Sequence, residues 1–324
     1  MKARNFRYIR PATLDQAYRI LAESDGDAVP IAGGQSLLAT LNMRLSAPKL
    51  LVDIGDLKEL TGQSYADDGT VRLGALTLHR ELLASELVRK HVPLLVRAAS
   101  HIGHVAIRNR GTLGGSLAYA DPAAELSACA VALDATLELG SLKGKRAVKA
   151  EEFFKGLFET DLQPGELIVG VRFPAMQAGT MIGFAELARR HGDFALVGVA
   201  AVATMQHDRT IGQARLAYFG CVNRAKLAPS VSAAVEGLAL PLPDATAFEA
   251  AIRTDITTED TPGLRADTKL HLATVLTRRV LRVDETRRLC APRFAPRTSY
   301  RLAFPGVTFC QIVTAAAPGG GSLK

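Results

Sequence analysis

Cysteine is scarce in this 324-residue chain: the four present, at positions 129, 221, 290 and 310, form neither a CxxC pair nor a cluster with histidine. That spacing gives no disulfide framework, and it excludes a zinc site or an iron–sulfur cluster built by this chain alone. Tryptophan is absent, which carries no functional message. No apolar run approaches the roughly 20 residues needed to cross a bilayer. The opening MKARNFRYIRP has no hydrophobic signal core, so a cytoplasmic location and no membrane span are expected. Also missing are a GxGxxG turn, the GK[ST] ending of a P-loop, a Ser-His-Asp arrangement and a pair of catalytic carboxylates. A chain without acid–base machinery of its own is suited to letting a cofactor carry the chemistry.

Charge is the next thing to account for. The net charge is +7 with a pI near 9.4, and arginines concentrate late, at 278, 279, 282, 287, 288, 293 and 297. Phe294 is the one aromatic residue among them and no nucleic-acid module is present, so they read as a solvated face or a dock for an acidic partner subunit, not as a nucleic-acid surface. With 48% hydrophobic and 22% charged residues the chain is an ordinary globular one, long enough for two or three compact units.

Two glycine-rich stretches stand out. The first is the apolar run VPI followed by Ala32, Gly33, Gly34, Gln35 and Ser36, then a helical pattern through Leu37 and Leu38 to Leu45. The second is RGTLGGS, with Thr112, Gly114, Gly115 and Ser116, followed by Asp121-Pro122 and an Ala-rich helix over 123–133. Glycines at this spacing leave a run of backbone N–H groups with few Cβ atoms in the way, the makings of an anion-binding nest. Asp121 suits the N-cap, Pro122 the first helical position, and Glu125 the first turn, where it can also accept from a ligand hydroxyl. Two such turns about eighty residues apart are able to clasp one pyrophosphate from two sides.

The paired motifs AGGQS and TLGGS, with DPAAE after the second, resemble those of the FAD-binding medium subunit of molybdenum hydroxylases, the family of carbon monoxide dehydrogenase and xanthine dehydrogenase. The stretch ELARRHGDFALVGVAA at 186–201 resembles that family's second-domain signature, and the likeness runs over about 1–285. It implies an α+β fold: a two-subdomain FAD-binding domain of the molybdenum hydroxylase and vanillyl-alcohol oxidase type, then a smaller C-terminal α+β domain with a three-stranded antiparallel sheet. The implied division is 1–176, 177–288 and a loosely ordered tail over 289–324. It further implies an oxidoreductase subunit that takes electrons from [2Fe–2S] clusters and passes them to an external acceptor. Molybdopterin would lie on a large partner subunit and two [2Fe–2S] clusters on a small one, in a heterotrimer or a dimer of heterotrimers.

The same resemblance assigns residues. Ala32, Gly33, Gly34, Gln35 and Ser36, with Thr112, Gly114, Gly115 and Ser116, would bind the pyrophosphate, and Ile31, Leu37 and Leu38 flank the first motif. Ile102 joins the flavin-binding set. Asp121 and Glu125 match carboxylates near the ribityl and adenosine hydroxyls, Ile168 or Val169 a strand position near the adenine, and the Gly192-Asp193 turn would approach the isoalloxazine ring. Glu186 departs from a lysine that some relatives carry near that ring, which leaves the electron acceptor open. A self-contained oxidase of the vanillyl-alcohol type is the alternative; it needs a substrate pocket and often a covalent flavin link, for which His104 is the nearby candidate. His101 and His104 lie three apart, but Gly103 intervenes and no third metal ligand is near.

The remaining pattern predicts helices over 14–23 with Thr13 as cap, after Thr77, over 94–102 and over 270–281, and strands over 28–32, 49–54 and 167–173. Phe153-Phe154 open a short aromatic segment. The long uncharged run at 194–204 fits a buried helix or a strand, since Val and Ala favour neither strongly.

Overall fold

A helix with no polar stripe has to be surrounded on all sides. Glu125–Ala132 (ELSACAVA) is such a helix: every residue from Leu126 to Ala132 is buried. A computed structural model gives the structure of the protein and describes residues 2–281 apart from 177–178, 241 and 243–245. Helix Glu125–Ala132 is its pivot. On one side it packs against Pro93–Ala99 and Leu113–Tyr119, and on the other against strands Ala195–Met205 and Ile211–Phe219. Its last carbonyls are capped from that second side: Arg215 Nη2 donates to Val131 O at 2.9 Å and Nε to Ala132 O at 3.2 Å. A cation at a helix C-terminus also suits the helix dipole.

The described residues form four sheets, the smallest of them Phe154–Gly156 paired with Glu159–Thr160. The first is small and parallel, with strand order Arg7–Ile9, Leu50–Asp53, Ala28–Ile31. Its middle strand buries Leu50, Leu51 and Val52 in succession, as a strand covered on both faces must. Helix Leu14–Glu23 packs on it through Ala17, Tyr18 and Leu21, with the Thr13 hydroxyl accepting from Gln16 N as expected. The second sheet is antiparallel, in the order Gln63–Tyr65, Val71–Gly74, Leu167–Phe173, Thr136–Ser141, Gly144–Lys149. Its central strand occupies the predicted residues 167–173.

The third sheet is antiparallel, with Ala195–Met205 between Thr180–Ala188 and Ile211–Phe219. These are the three expected long strands, joined at the edge by a fourth of two residues, Lys226–Leu227. The open reading at 194–204 resolves as a strand. Val197, Val199, Ala201 and Ala203 face a core shared with helices Pro229–Val235, Thr246–Asp255 and Ala266–Val280, while Ala200 joins the core around Glu125–Ala132. Both faces are buried, so no polar alternation marks the period of two.

Three local expectations change. Asp121 does not cap the following helix: its Oδ1 accepts from Ala123 N at 2.9 Å in a turn, and the helix starts at Glu125 with Ala124 as an uncapped N-cap. Thr77 does not cap the next helix, His79–Ala84, which is entered through Leu78, with Glu81 Oε2 accepting from Leu78 N at 2.9 Å. The second glycine stretch is not a free turn but the start of helix Leu113–Tyr119. The expected tail at 289–324 lies outside the described residues.

Candidate functional site

The two glycine stretches meet. Gly33 lies so close to the second segment that a Cβ on it would stand 2.0 Å from Arg110 O and 3.0 Å from Gly111 Cα. Gly114 is pressed in the same way onto Ala75, whose carbonyl accepts its N–H at 2.7 Å. These two glycines are therefore required by backbone packing against backbone, not by a ligand. Around the junction opens a cavity of about 500 Å³, within the range of roughly 300–1,000 Å³ usual for cofactor sites.

All the residues assigned from sequence line that cavity except Leu38: residues 31–37, Ile102, Thr112, Gly114, Gly115, Ser116, Asp121, Glu125, Ile168 and Asp193. Leu38 sits beside Leu37 on the short helix Leu37–Asn42, a turn of about 100° away, and is 45% exposed. Of the alternatives Ile168 and Val169, the cavity takes Ile168, while Val169 turns into the core against Leu14–Glu23. His104 is not among the lining residues; it is the exposed N-cap of Val105–Arg108.

The two stretches contribute different chemistry. In the second, four N–H groups are already satisfied: Gly111 N donates to Ile107 O, Leu113 N to Thr77 O, Gly114 N to Ala75 O, and Gly115 N to the Thr112 hydroxyl at 3.0 Å. In the first, the N–H groups of Gly33, Gly34, Gln35 and Ser36 have no partner among the described residues. Gly34 has φ +71°, the left-handed backbone that anion nests use. No Lys or Arg among the described residues lines the cavity. An anion seated there is held by main-chain dipoles and not by an ion pair. The Ser36 and Ser116 hydroxyls make no hydrogen bond among the described residues, whereas the Thr112 hydroxyl caps its helix.

Carboxyl groups stand nearby. Burial pushes Glu125 up to about 8, and the Glu186 and Asp121 carboxylates add to the rise. Burial also raises Asp121, against the Ala123 N–H that lowers it. Glu125 thus faces the cavity as a neutral acid near pH 7 and does not repel an anion bound beside it. Glu186 does not line the cavity: it is buried, with Oε1 3.2 Å from His101 Nδ1 and Oε2 without a partner.

His79 was not anticipated. It lines the cavity yet is 95% buried, and its Nε2 lies 3.1 Å from Thr112 O, which only accepts, so Nε2 carries the proton. Burial lowers its pKa to about 4, with the Arg108 charge adding to the fall. Nothing in the LTLHREL pattern signals this, because the partner carbonyl is 33 residues away. No group of three or more potential metal ligands occurs among the described residues.

Residues 4–176 match the family described as the FAD binding domain in molybdopterin dehydrogenase, and residues 183–283 match the CO dehydrogenase flavoprotein C-terminal domain. The chain is 42% identical over 220 residues to the 6-hydroxypseudooxynicotine dehydrogenase complex subunit alpha of Paenarthrobacter nicotinovorans, covering 68% of this chain and 74% of that one. It is 42% identical over 218 residues to the caffeine dehydrogenase subunit beta of Pseudomonas sp. (strain CBB1), covering 67% and 73%. In structure it is similar to carbon monoxide dehydrogenase from Hydrogenophaga pseudoflava, with a TM-score of 0.82, 32% identity, and coverage of 90% of this chain and all of that one.

Proposed function

The chain belongs to the family of FAD-binding subunits of molybdopterin dehydrogenases, and from that premise we propose that it holds FAD in the 500 Å³ cavity and relays electrons for a partner that binds substrate. It is a flavin-dependent oxidoreductase subunit. The observation that carries the site assignment is that Gly33, Gly34, Gln35 and Ser36, whose N–H groups have no partner among the described residues, line a cavity to which no described Lys or Arg contributes. A pyrophosphate is the part of FAD that such a run fits. FAD, when bound, supplies reversible electron transfer that no side chain of this protein offers.

The chain's own residues then have distinct tasks. The first glycine stretch neutralises the pyrophosphate through main-chain donors, and the second braces it from behind through the Gly33–Arg110 contact. The Ser36 and Ser116 hydroxyls complete the donor set. Asp121 and Glu125 present oxygens to the sugar and ribityl hydroxyls, Glu125 as a neutral acid near pH 7. Ile102 and Ile168 supply apolar walls, and the Gly192-Asp193 turn borders the isoalloxazine. We assign residues 1–176 to FAD binding and 177–288 to the C-terminal domain.

The proposed partners are a large molybdopterin-binding subunit and a small subunit with two [2Fe–2S] clusters, in a heterotrimer or a dimer of two. The two relatives at 42% identity carry the names of different substrates, which favours a substrate chosen outside this subunit. The self-contained oxidase is disfavoured, since His104 stands apart from the cavity lining. The test is to purify the chain with its accompanying subunits and alone, add aldehydes, purines, N-heterocycles or carbon monoxide, and follow the flavin absorbance. Bleaching that needs the partner subunits supports the relay; bleaching in the lone chain overturns it.

A further inference from the structure

Six non-glycine residues among those described adopt positive φ. Four of them stand where a helix ends, Ala120 as the C-cap and Asp25, Arg44 and Asp134 one residue beyond it, where a left-handed residue ends the turn. Arg209 lies in the turn between Gln206 and Thr210. Phe158 is the exception in kind: a bulky aromatic at φ +55°, second in the two-residue turn that joins Phe154–Gly156 to Glu159–Thr160. That position ordinarily calls for Gly or Asn. An aromatic there strains the backbone, and the side chain is not compensated by burial, since it stays 52% exposed.

What the ring does touch is Tyr119. The two ring centroids are 5.3 Å apart at 70°, an edge-to-face contact. Tyr119 is the last residue of helix Leu113–Tyr119 and lines the cavity. The Tyr119 ring is thereby braced from one side by the Phe158 ring. Leu162 and Ile168 line the same cavity and give it apolar wall. A fixed aromatic ring on an apolar wall is a stacking platform for a flat heteroaromatic group.

We propose that Tyr119 is the stacking surface for one heteroaromatic ring of the bound dinucleotide, and that Phe158 is the positioning residue that holds it in place. This rests on the reading that the cavity binds FAD. FAD carries two such rings, adenine and isoalloxazine, and ligands with only one of them distinguish which is stacked.

Phe158→Gly separates a binding role from a structural one because the two readouts move in opposite directions. Glycine relieves the left-handed strain, so the melting temperature without FAD rises, on the order of 2–4 °C. Loss of the edge-to-face contact weakens FAD binding by about 3- to 10-fold. Phe158→Tyr keeps the ring and restores affinity. Leu157→Ala, at the neighbouring 63% exposed turn residue, leaves affinity unchanged. Full-length protein, with any accompanying subunits and stripped of flavin, is titrated with FAD, FMN and ADP. A loss in Phe158→Gly confined to FAD and ADP supports an adenine subsite; a loss confined to FAD and FMN supports an isoalloxazine subsite. Unchanged affinity for all three, or a melting temperature and affinities that fall together, overturns the inference. Wild-type protein that takes up no FAD overturns instead the reading on which it rests.

Discussion

Gly33→Ala tests whether the two glycine stretches are interlocked as described. Gly33 has no positive φ, so alanine adds a steric problem and no conformational one. The new Cβ would stand 2.0 Å from Arg110 O, 2.7 Å from Arg110 C and 3.0 Å from Gly111 Cα, all main-chain atoms with no flexible end to swing aside. Ordinary contact begins near 3.4 Å, so the segments must part by roughly 1.4 Å, a displacement of the size that disables a preorganised site. Overpacking of this kind costs about 1–3 kcal/mol, or on the order of 5 °C in melting temperature for a chain of this size. If the displaced N–H run loses one charge-assisted hydrogen bond to the pyrophosphate, about 1.5–3 kcal/mol, FAD affinity falls roughly 10- to 100-fold. Gly26→Ala is the control: φ is +83° and nothing lies within 4 Å of its Cβ, so it brings strain without a clash and leaves FAD unaffected. Melting temperature and flavin-to-protein ratio are measured on both. Gly33→Ala that is as stable as wild type and fully flavinated would show that the interlock argument is wrong.

Thr112→Ala removes a helix cap and lowers stability by about 1 kcal/mol in thermal melts. Ser36→Ala instead shows unchanged melting and FAD binding weakened by about 1 kcal/mol in titrations, since Ser36 makes no cap bond. For Glu125, a folded pKa raised to about 8 favours the protonated form, so its contribution to stability is full below the unfolded value of about 4.3 and is lost as pH rises through 8. Glu125→Gln therefore gains on wild type in flavin-free melts as pH rises across that window; an equal pH slope in both proteins refutes the assignment. His79 has the opposite sign: its depressed pKa gives stability that is present above about 6.5 and lost as pH falls towards 4. His79→Gln should flatten acid unfolding between those values, measured by circular dichroism against pH.

Local rules made much of this chain legible in its sequence. Thr13 before an apolar 3.6-residue period marks helix Leu14–Glu23, and the run LIVGVRF ended by Pro174 marks strand Leu167–Phe173. The two glycine motifs, with Asp121 and Glu125 after the second, point to one cavity because their type and spacing are themselves the signal. Tertiary structure decided the rest. Whether 195–205 is a strand depends on two cores, one on each face, and a run apolar on both sides carries no period to read. Which glycine stretch offers free N–H groups depends on Ala75 O and Thr77 O, carbonyls almost forty residues before their partners. Gly33 needs to be glycine because of Arg110, Glu125 is neutral because it is buried beside Glu186 and Asp121, and Phe158 matters only because Tyr119 is next to it. Each of these is a property of groups distant in sequence and adjacent in space, set by burial and by hydrogen bonds that no local pattern encodes.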